Sequence, residues 1–395
     1  MFVAIDAIGI RGHGGASVLT ELLHWLPIVR PEWKWYVFLF ERDLREFDDP
    51  SVADTVTIEY TQEGHTGWGR LMWVHRRLQE RVKQIGADVI FSFANIGSSH
   101  PVIPQVVFVQ QWNAFFNEGI QKSNFLRRLR FSFMRWQILK GAKGSSVVIV
   151  QTEVMHRRML EYAPELNGRI HVIPSGFRTP SPNPIIQPDK KALIDGATRP
   201  RLIYVSHPTT HKNHINLFQA LPQIKEVFPS FSLILTLEPM IKPANKYTEK
   251  KYNEFMKPII KAADKINLPT NIVWAGILNN DEVRYALTNS DLMVFPSLSE
   301  SFGLGLVEAM EVGCPIAASD LPYARDVAQD AAAYFNPKNP KSIAEVVINL
   351  LQDKTKVTLI KESALKRKGL YCYESIANRM ADIFYVSCSR DATII

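Results

Sequence analysis

Glu300 and Glu308 stand eight residues apart on either side of a glycine turn, Ser301-Phe302-Gly303-Leu304-Gly305. The apolar run at 291–296 reads as a buried strand ending in a loop, and from about 304 to 312 the pattern turns helical. Gly303 and Gly305 lack a Cβ, so backbone N–H groups there can approach an anion closely, and a phosphate sits well at the N-terminus of the helix that follows. One glutamate before the turn and one inside the helix could grip two hydroxyl-bearing parts of a single ligand, which suggests a sugar nucleotide. An ordinary strand-loop-helix unit with solvated glutamates has the same spacing.

A second cluster follows the apolar run at 201–205: His207, His211, Lys212 and His214, just ahead of a helical pattern through Leu217, Ala220 and Leu221. An ammonium at a helix N-terminus is disfavoured by the dipole unless an anion lies between them, and a diphosphate is a natural third partner for Lys212. The three histidines invite a metal reading, but Pro208 and the threonine pair after it argue against one continuous helix, and no matching acidic ligand is nearby. With no Asp-x-Asp motif either, no metal and no other cofactor is expected, and Lys212 with backbone amides would neutralise a leaving diphosphate.

Residues 300–320 closely resemble the E-x7-E motif of glycosyltransferase family 4, the retaining, sugar-nucleotide-dependent enzymes of GT-B fold. The match extends through Gly313, Pro315 and Asp320. The resemblance implies that Glu300 lies against the donor sugar, that Glu308 binds the ribose hydroxyls, and that the amides of Ser301, Phe302, Gly303 and Leu304 hold the diphosphate. The family more often has glycine and proline where this chain has Ser301 and Gly305, and an arginine where it has His207. His207 or His211, when protonated, could supply the second phosphate contact. Gly14 and Gly15, in the glycine loop Arg11-Gly-His-Gly-Gly15 after the first strand, are implied to face the donor phosphates; Ser17 in place of a third glycine weakens a dinucleotide reading. Gln110, Gln111 and Asn113 follow another strand, near the place where many family members have a histidine. Amides bind sugar hydroxyls but cannot act as general bases, so either the leaving phosphate or another group takes the acceptor proton. Base recognition is expected after the strand that ends near Trp274.

Elements that could position these residues follow a β-then-α order. Apolar runs at 2–8, 35–40, 88–93, 105–109 and 146–150 alternate with helical segments near 70–85, 124–140 and 152–163. A second series lies at 201–205, 232–237, 271–274, 291–295 and 315–318. The order implies α/β architecture with mostly parallel sheets. At 395 residues, two Rossmann-like domains are the default expectation: 1–178 on the acceptor side and 191–370 for the nucleotide sugar, facing each other across a cleft. Four prolines within 179–188 make 179–190 a connector, and a last helix in 371–395 resembles the family's C-terminal helix, which crosses back to the first domain.

Three widely spaced cysteines point to a reducing compartment, and the chain opens directly on a strand with no signal-peptide pattern, so a cytoplasmic location is expected. No apolar stretch is long enough to span a bilayer. The net charge of +7 is modest, and no zinc-finger or RNA-binding signature accompanies it, so nucleic acid is not an expected partner. Local charge matters more. Residues 122–143 carry seven basic and no acidic residues. A helical wheel assigns Phe125, Leu126, Leu129, Phe133 and Trp136 to a core face and Arg127, Arg128 and Arg135 to the opposite side, suiting an anionic membrane surface or a lipid-linked acceptor. The leading reading is a retaining glycosyltransferase, a hexosyltransferase using a UDP or GDP sugar and a glycan or lipid-linked acceptor in cell-surface polysaccharide synthesis. A sugar-nucleotide epimerase and a non-catalytic sugar-nucleotide or glycan-binding subunit are the alternatives.

Overall fold

The structure is a computed structural model that describes residues 1–10, 13–40, 56–64, 67–116, 125–239 and 246–389, with only the backbone described at 13, 126, 127 and 246–251. Arg11 and Gly12 of the expected glycine loop, residues 122–124 of the basic run, and the side chains of Leu126 and Arg127 lie outside the described residues. The chain divides into two compact units, Met1–Gly176 with Leu370–Ile395, and Phe177–Gly369.

The first unit holds β1 (Phe2–Asp6), β2 (Lys34–Phe40), β3 (Val56–Thr61), β4 (Val89–Ser92), β5 (Gln105–Val109), β6 (Val147–Val150) and β7 (Ile170–Val172). All pairs are parallel, in the order β3-β2-β1-β4-β5-β6-β7. Val and Ile in β1, and Val, Ile and Phe in β4 and β5, are buried throughout, as expected of a parallel sheet covered on both faces. The second unit holds β8 (Arg201–Tyr204), β9 (Ser232–Leu235), β10 (Ile272–Trp274), β11 (Leu292–Phe295), β12 (Ile316–Ser319) and β13 (Ala333–Phe335), again all parallel, in the order β10-β9-β8-β11-β12-β13. Both sheets have the doubly wound order in which the winding reverses between the first and fourth strands, the place where such sheets open a crevice beyond their carboxyl ends. These are two Rossmann-like α/β domains, as the sequence led us to expect.

Several local expectations need correction. The sequence series omits β3, β7 and β13, each at a sheet edge. A helix at Pro188–Asp195 begins inside the proline-rich stretch read as a connector, with Pro188 in its first turn, where the missing N–H costs nothing. The helix His13–Val29 starts before Gly14 and Gly15, so both glycines lie in its first turn and not in a loop ahead of it.

The helix Phe125–Lys143 is turned the other way from the expectation: Phe125, Leu129, Phe133 and Trp136 are 72%, 51%, 51% and 53% exposed. Its buried side is Ile138, Gly141 and Ala142, with Arg135 half-buried, donating to the Ala114 carbonyl at 3.1 Å and lying 4.3 Å over the Tyr162 ring. Small residues decide this orientation. A Cβ on Gly141 would come within 2.5 Å of the Gly97 carbonyl oxygen, and one on Gly144 within 2.5 Å of that of Ser99, so the backbones approach closely only on that side.

The helix Tyr373–Cys388 packs within the first unit. Arg30 donates to Asn378 Oδ1 at 2.9 Å and to Asp382 at 2.8 Å, and the Phe384 and Phe91 rings lie 4.9 Å apart.

Candidate active site

β8 and β11 are neighbours at the reversal point of the second sheet, with Leu202 paired to Leu292 and Ile203 to Met293. Their two following loops therefore emerge side by side. The first loop carries Lys212, at the end of a short 3-10 turn, and the second carries Glu300. Lys212 Nζ donates to Glu300 Oε1 at 2.7 Å, with only 15% and 13% of the two side chains exposed.

A buried hydroxyl network fixes this approach. Tyr204, at the end of β8, donates to the Lys212 carbonyl at 2.9 Å and lies 2.8 Å from Ser297 Oγ. Tyr323 donates to the Ser297 carbonyl at 2.7 Å, and Leu298 N–H donates to the His211 carbonyl at 2.7 Å. Burial, and after it the nearby Glu300 carboxylate, pushes both phenols up, so they stay protonated as donors. Asn213 is left-handed at φ 61°, and its amide donates to the carbonyls of Pro296 and Pro337 at 3.0 and 2.7 Å, closing the turn beneath Lys212. Sequence reading missed Tyr204, Ser297, Tyr323 and Asn213; the one signal was a tyrosine ending an otherwise apolar strand core.

The glycine turn is as compact as its sequence suggests. Gly303 has φ +97°, a conformation that strains any residue with a Cβ, and it caps the helix Leu304–Glu311. The leading amides of that helix have no acceptor four residues back, so they can meet an anion. Ser301 is exposed, Phe302 is buried, and Leu304 is half-buried. Gly305 serves packing: a Cβ there would lie 3.0 Å from the Met293 methyl and 3.2 Å from the Phe295 ring.

Glu308 lies one turn further on, half-buried, in a pocket with Arg178, Thr179, Asn280, Arg284 and Glu311. Glu311 is neutralised by Arg284 and by Lys368 at 3.2 Å. Glu308 has no hydrogen bond or ion pair among the described residues, and burial pushes its carboxyl up, against the pull of Arg178 and Lys212. It is a carboxylate with room for a ligand donor.

The three histidines do not converge on one point. His214 is buried with Nε2 2.8 Å from Ser206 Oγ, and burial, then Lys212 and His211, lowers its imidazole to about 3. His207 is exposed. The His211 imidazole is lowered, first by desolvation, with Glu300 opposing and Lys212 adding to the shift. No group of three or more His, Cys, Asp or Glu forms a ligand set among the described residues.

In the first unit, Gly14 is exposed and Gly15 half-buried at the start of their helix, with the Ile10 methyl 3.3 Å from where a Gly15 Cβ would stand. The Gln110 side chain, expected to meet a sugar, donates instead to the Phe93 carbonyl at 3.2 Å, while its N–H donates to Asn95 Oδ1 at 2.6 Å. Gln111 is half-buried ahead of the turn Trp112–Ala114, and Asn113 is exposed. At the end of β1, Asp6 is fully buried and held by Arg70 at 3.0 and 2.8 Å and by Trp73 Nε1 at 3.1 Å, which anchors the loop that follows.

Residues 186–367 match the family of glycosyl transferases group 1. The group 1 segment contains β8 to β13, and with them Lys212, Glu300 and Glu308. Among curated relatives, the serotype-specific mannosyltransferase WbdA of Escherichia coli is 28% identical over 136 residues, 34% of this chain and 17% of that protein, so only a minor part of that relative's length is matched. The fold also resembles two solved structures. Sucrose-phosphate synthase of Thermosynechococcus elongatus gives a TM-score of 0.72 at 17% identity over 98% of both chains. Anabaena HepE, in complex with UDP and glucose, gives 0.68 at 16% identity over 98% of this chain and 99% of that one.

Proposed function

We propose that this protein is a retaining glycosyltransferase that moves a hexose from a nucleoside diphosphate sugar to a glycan or lipid-linked acceptor in cell-surface polysaccharide synthesis. The observation that carries the reading is the Lys212–Glu300 contact of 2.7 Å, at the reversal point of the sheet and inside the segment that matches glycosyl transferases group 1. The mannosyltransferase relative favours a hexose as the transferred sugar, and the UDP complex of HepE favours a UDP donor.

In this reading the diphosphate lies between Lys212 and the amides of 301–304, drawing the ammonium away from Glu300. The bond from the anomeric carbon to the phosphate oxygen breaks, and the oxygen leaves with the electron pair, stabilised by Lys212 and the helix N-terminus. Glu300, freed of its cation, orients the sugar and stabilises positive charge developing at the anomeric carbon. The acceptor hydroxyl enters on the face the diphosphate leaves, forms the new C–O bond, and gives its proton to the departing phosphate. Glu308 accepts hydrogen bonds from the ribose. Because Lys212 and the amides supply the positive charge, the scheme needs no metal. Three free cysteines fit a cytoplasmic site of action.

A thermal-shift panel with UDP, GDP and ADP tests the binding half of the proposal. A nucleotide present at about 100 times its Kd should stabilise by about 2.7 kcal/mol, and a panel in which none of the three raises Tm would overturn the assignment.

A further inference from the structure

The exposed stripe on the helix Phe125–Lys143 takes no part in the chemistry above. Phe125, Leu129, Phe133 and Trp136 fall within about 80° of one another at 100° per residue, and all are at least half exposed. Phe133 and Trp136 stack with centroids 5.7 Å apart, and Lys140 Nζ lies 5.1 Å over the Trp136 ring, so cation and aromatic group share the same outward face. Arg128 and Arg130 are exposed beside it. The opposite side of the helix is committed to the core through Ile138, Ala142 and the Arg135–Tyr162 stack, so the stripe cannot rotate inward without breaking that packing.

We propose that this stripe docks the protein on an anionic lipid bilayer, the aromatic and leucine side chains entering the acyl boundary and the basic ones meeting lipid phosphates. Charge selects this occupant. From 122 to 143 the chain has seven basic and no acidic residues, so a second copy laid against the same face would oppose like charges. An anionic membrane offers opposite charge with an apolar layer directly beneath it, and a tryptophan beside a cation suits the headgroup level. No helix among the described residues is long and apolar enough to cross a membrane, so this contact lies in the interface plane.

The test is co-sedimentation of the full chain with vesicles of equal phosphatidylglycerol and phosphatidylcholine, and with phosphatidylcholine alone, at low and high salt. The mixed vesicles should bind the protein at low salt, and pure phosphatidylcholine or high salt should weaken binding strongly. Phe133→Ser and Trp136→Ser should each cut vesicle affinity about tenfold. Arg130→Gln and Lys140→Gln should each cut it about fivefold. All four variants should keep the parent's Tm and nucleotide binding, since their side chains are exposed. Parent protein that ignores anionic vesicles at low salt, or variants that bind as the parent does, would overturn the proposal. So would light scattering that finds a dimer which Phe133→Ser converts to monomer. None of these readouts depends on the sugar-transfer reading.

Discussion

Replacing Lys212 with methionine removes the charge while keeping most of the volume. At 2.7 Å and an effective dielectric of about 20, the Coulomb attraction to Glu300 is about 6 kcal/mol, most of it offset by the cost of desolvating two groups that are each about 85% buried. Losing one partner leaves Glu300 in that setting without its cation. We expect a destabilisation of about 2 kcal/mol, or about 4–8 °C in Tm for a unit of this size. The double variant Lys212→Met/Glu300→Gln should recover most of that stability, because neither charge is then stranded. Activity should behave differently. If Lys212 stabilises the leaving diphosphate, turnover in donor hydrolysis falls about 10²–10³-fold with a smaller change in KM, and the double variant does not recover it. Calorimetry and nucleotide-release kinetics on the parent, both single variants and the double variant separate the two effects. Turnover that survives Lys212→Met, or returns together with stability in the double variant, would show that the pair only holds the loops.

Glu308→Gln should raise the Tm of the empty protein at pH 7.5, because burial lifts the carboxyl's folded pKa and stability is lost as pH rises through it. The same change should weaken nucleotide binding by about 1.5–3 kcal/mol in a thermal-shift titration; unchanged nucleotide affinity would make Glu308 structural. His214 carries the opposite pH signature. Its imidazole falls from 6.5 to about 3 on folding, so the unfolded chain binds the proton first and stability declines as pH drops below 6.5, by about 1.4 kcal/mol per pH unit from this group. Urea midpoints at pH 7 and pH 5 should therefore differ less in His214→Gln than in the parent, and an equal difference would contradict a ring held neutral by burial.

The central strands were legible because runs such as Val106-Val-Phe-Val109 and Leu292-Met-Val-Phe295 are apolar on both faces, which a parallel sheet requires. The missed strands lie at edges. Val56–Thr61 is half-solvated along most of its length, and Ile170–Val172 and Ala333–Phe335 have three residues each, too few for a period to show. Sequence placed Lys212 and Glu300 at two strand ends, but their contact depends on β8 lying beside β11, a matter of topology that no local pattern carries. The face of the Phe125–Lys143 helix was misread because the wheel weighed large apolar residues, whereas Gly141 and Gly144 set the side on which the backbones come closest. Gln110 was legible as a loop residue, yet its turn toward the Phe93 carbonyl depends on how the loops after β4 and β5 meet.

The most direct test is to incubate the protein with GDP-mannose, UDP-glucose and an ADP-sugar, without added metal, and to follow released nucleoside diphosphate beside Lys212→Met and Glu300→Gln. Slow release from one donor by the parent, reduced at least a hundredfold in both variants, is the predicted result. A nucleotide that binds tightly while its sugar is never released, or is released equally by all three proteins, would contradict sugar transfer at the Lys212–Glu300 pair.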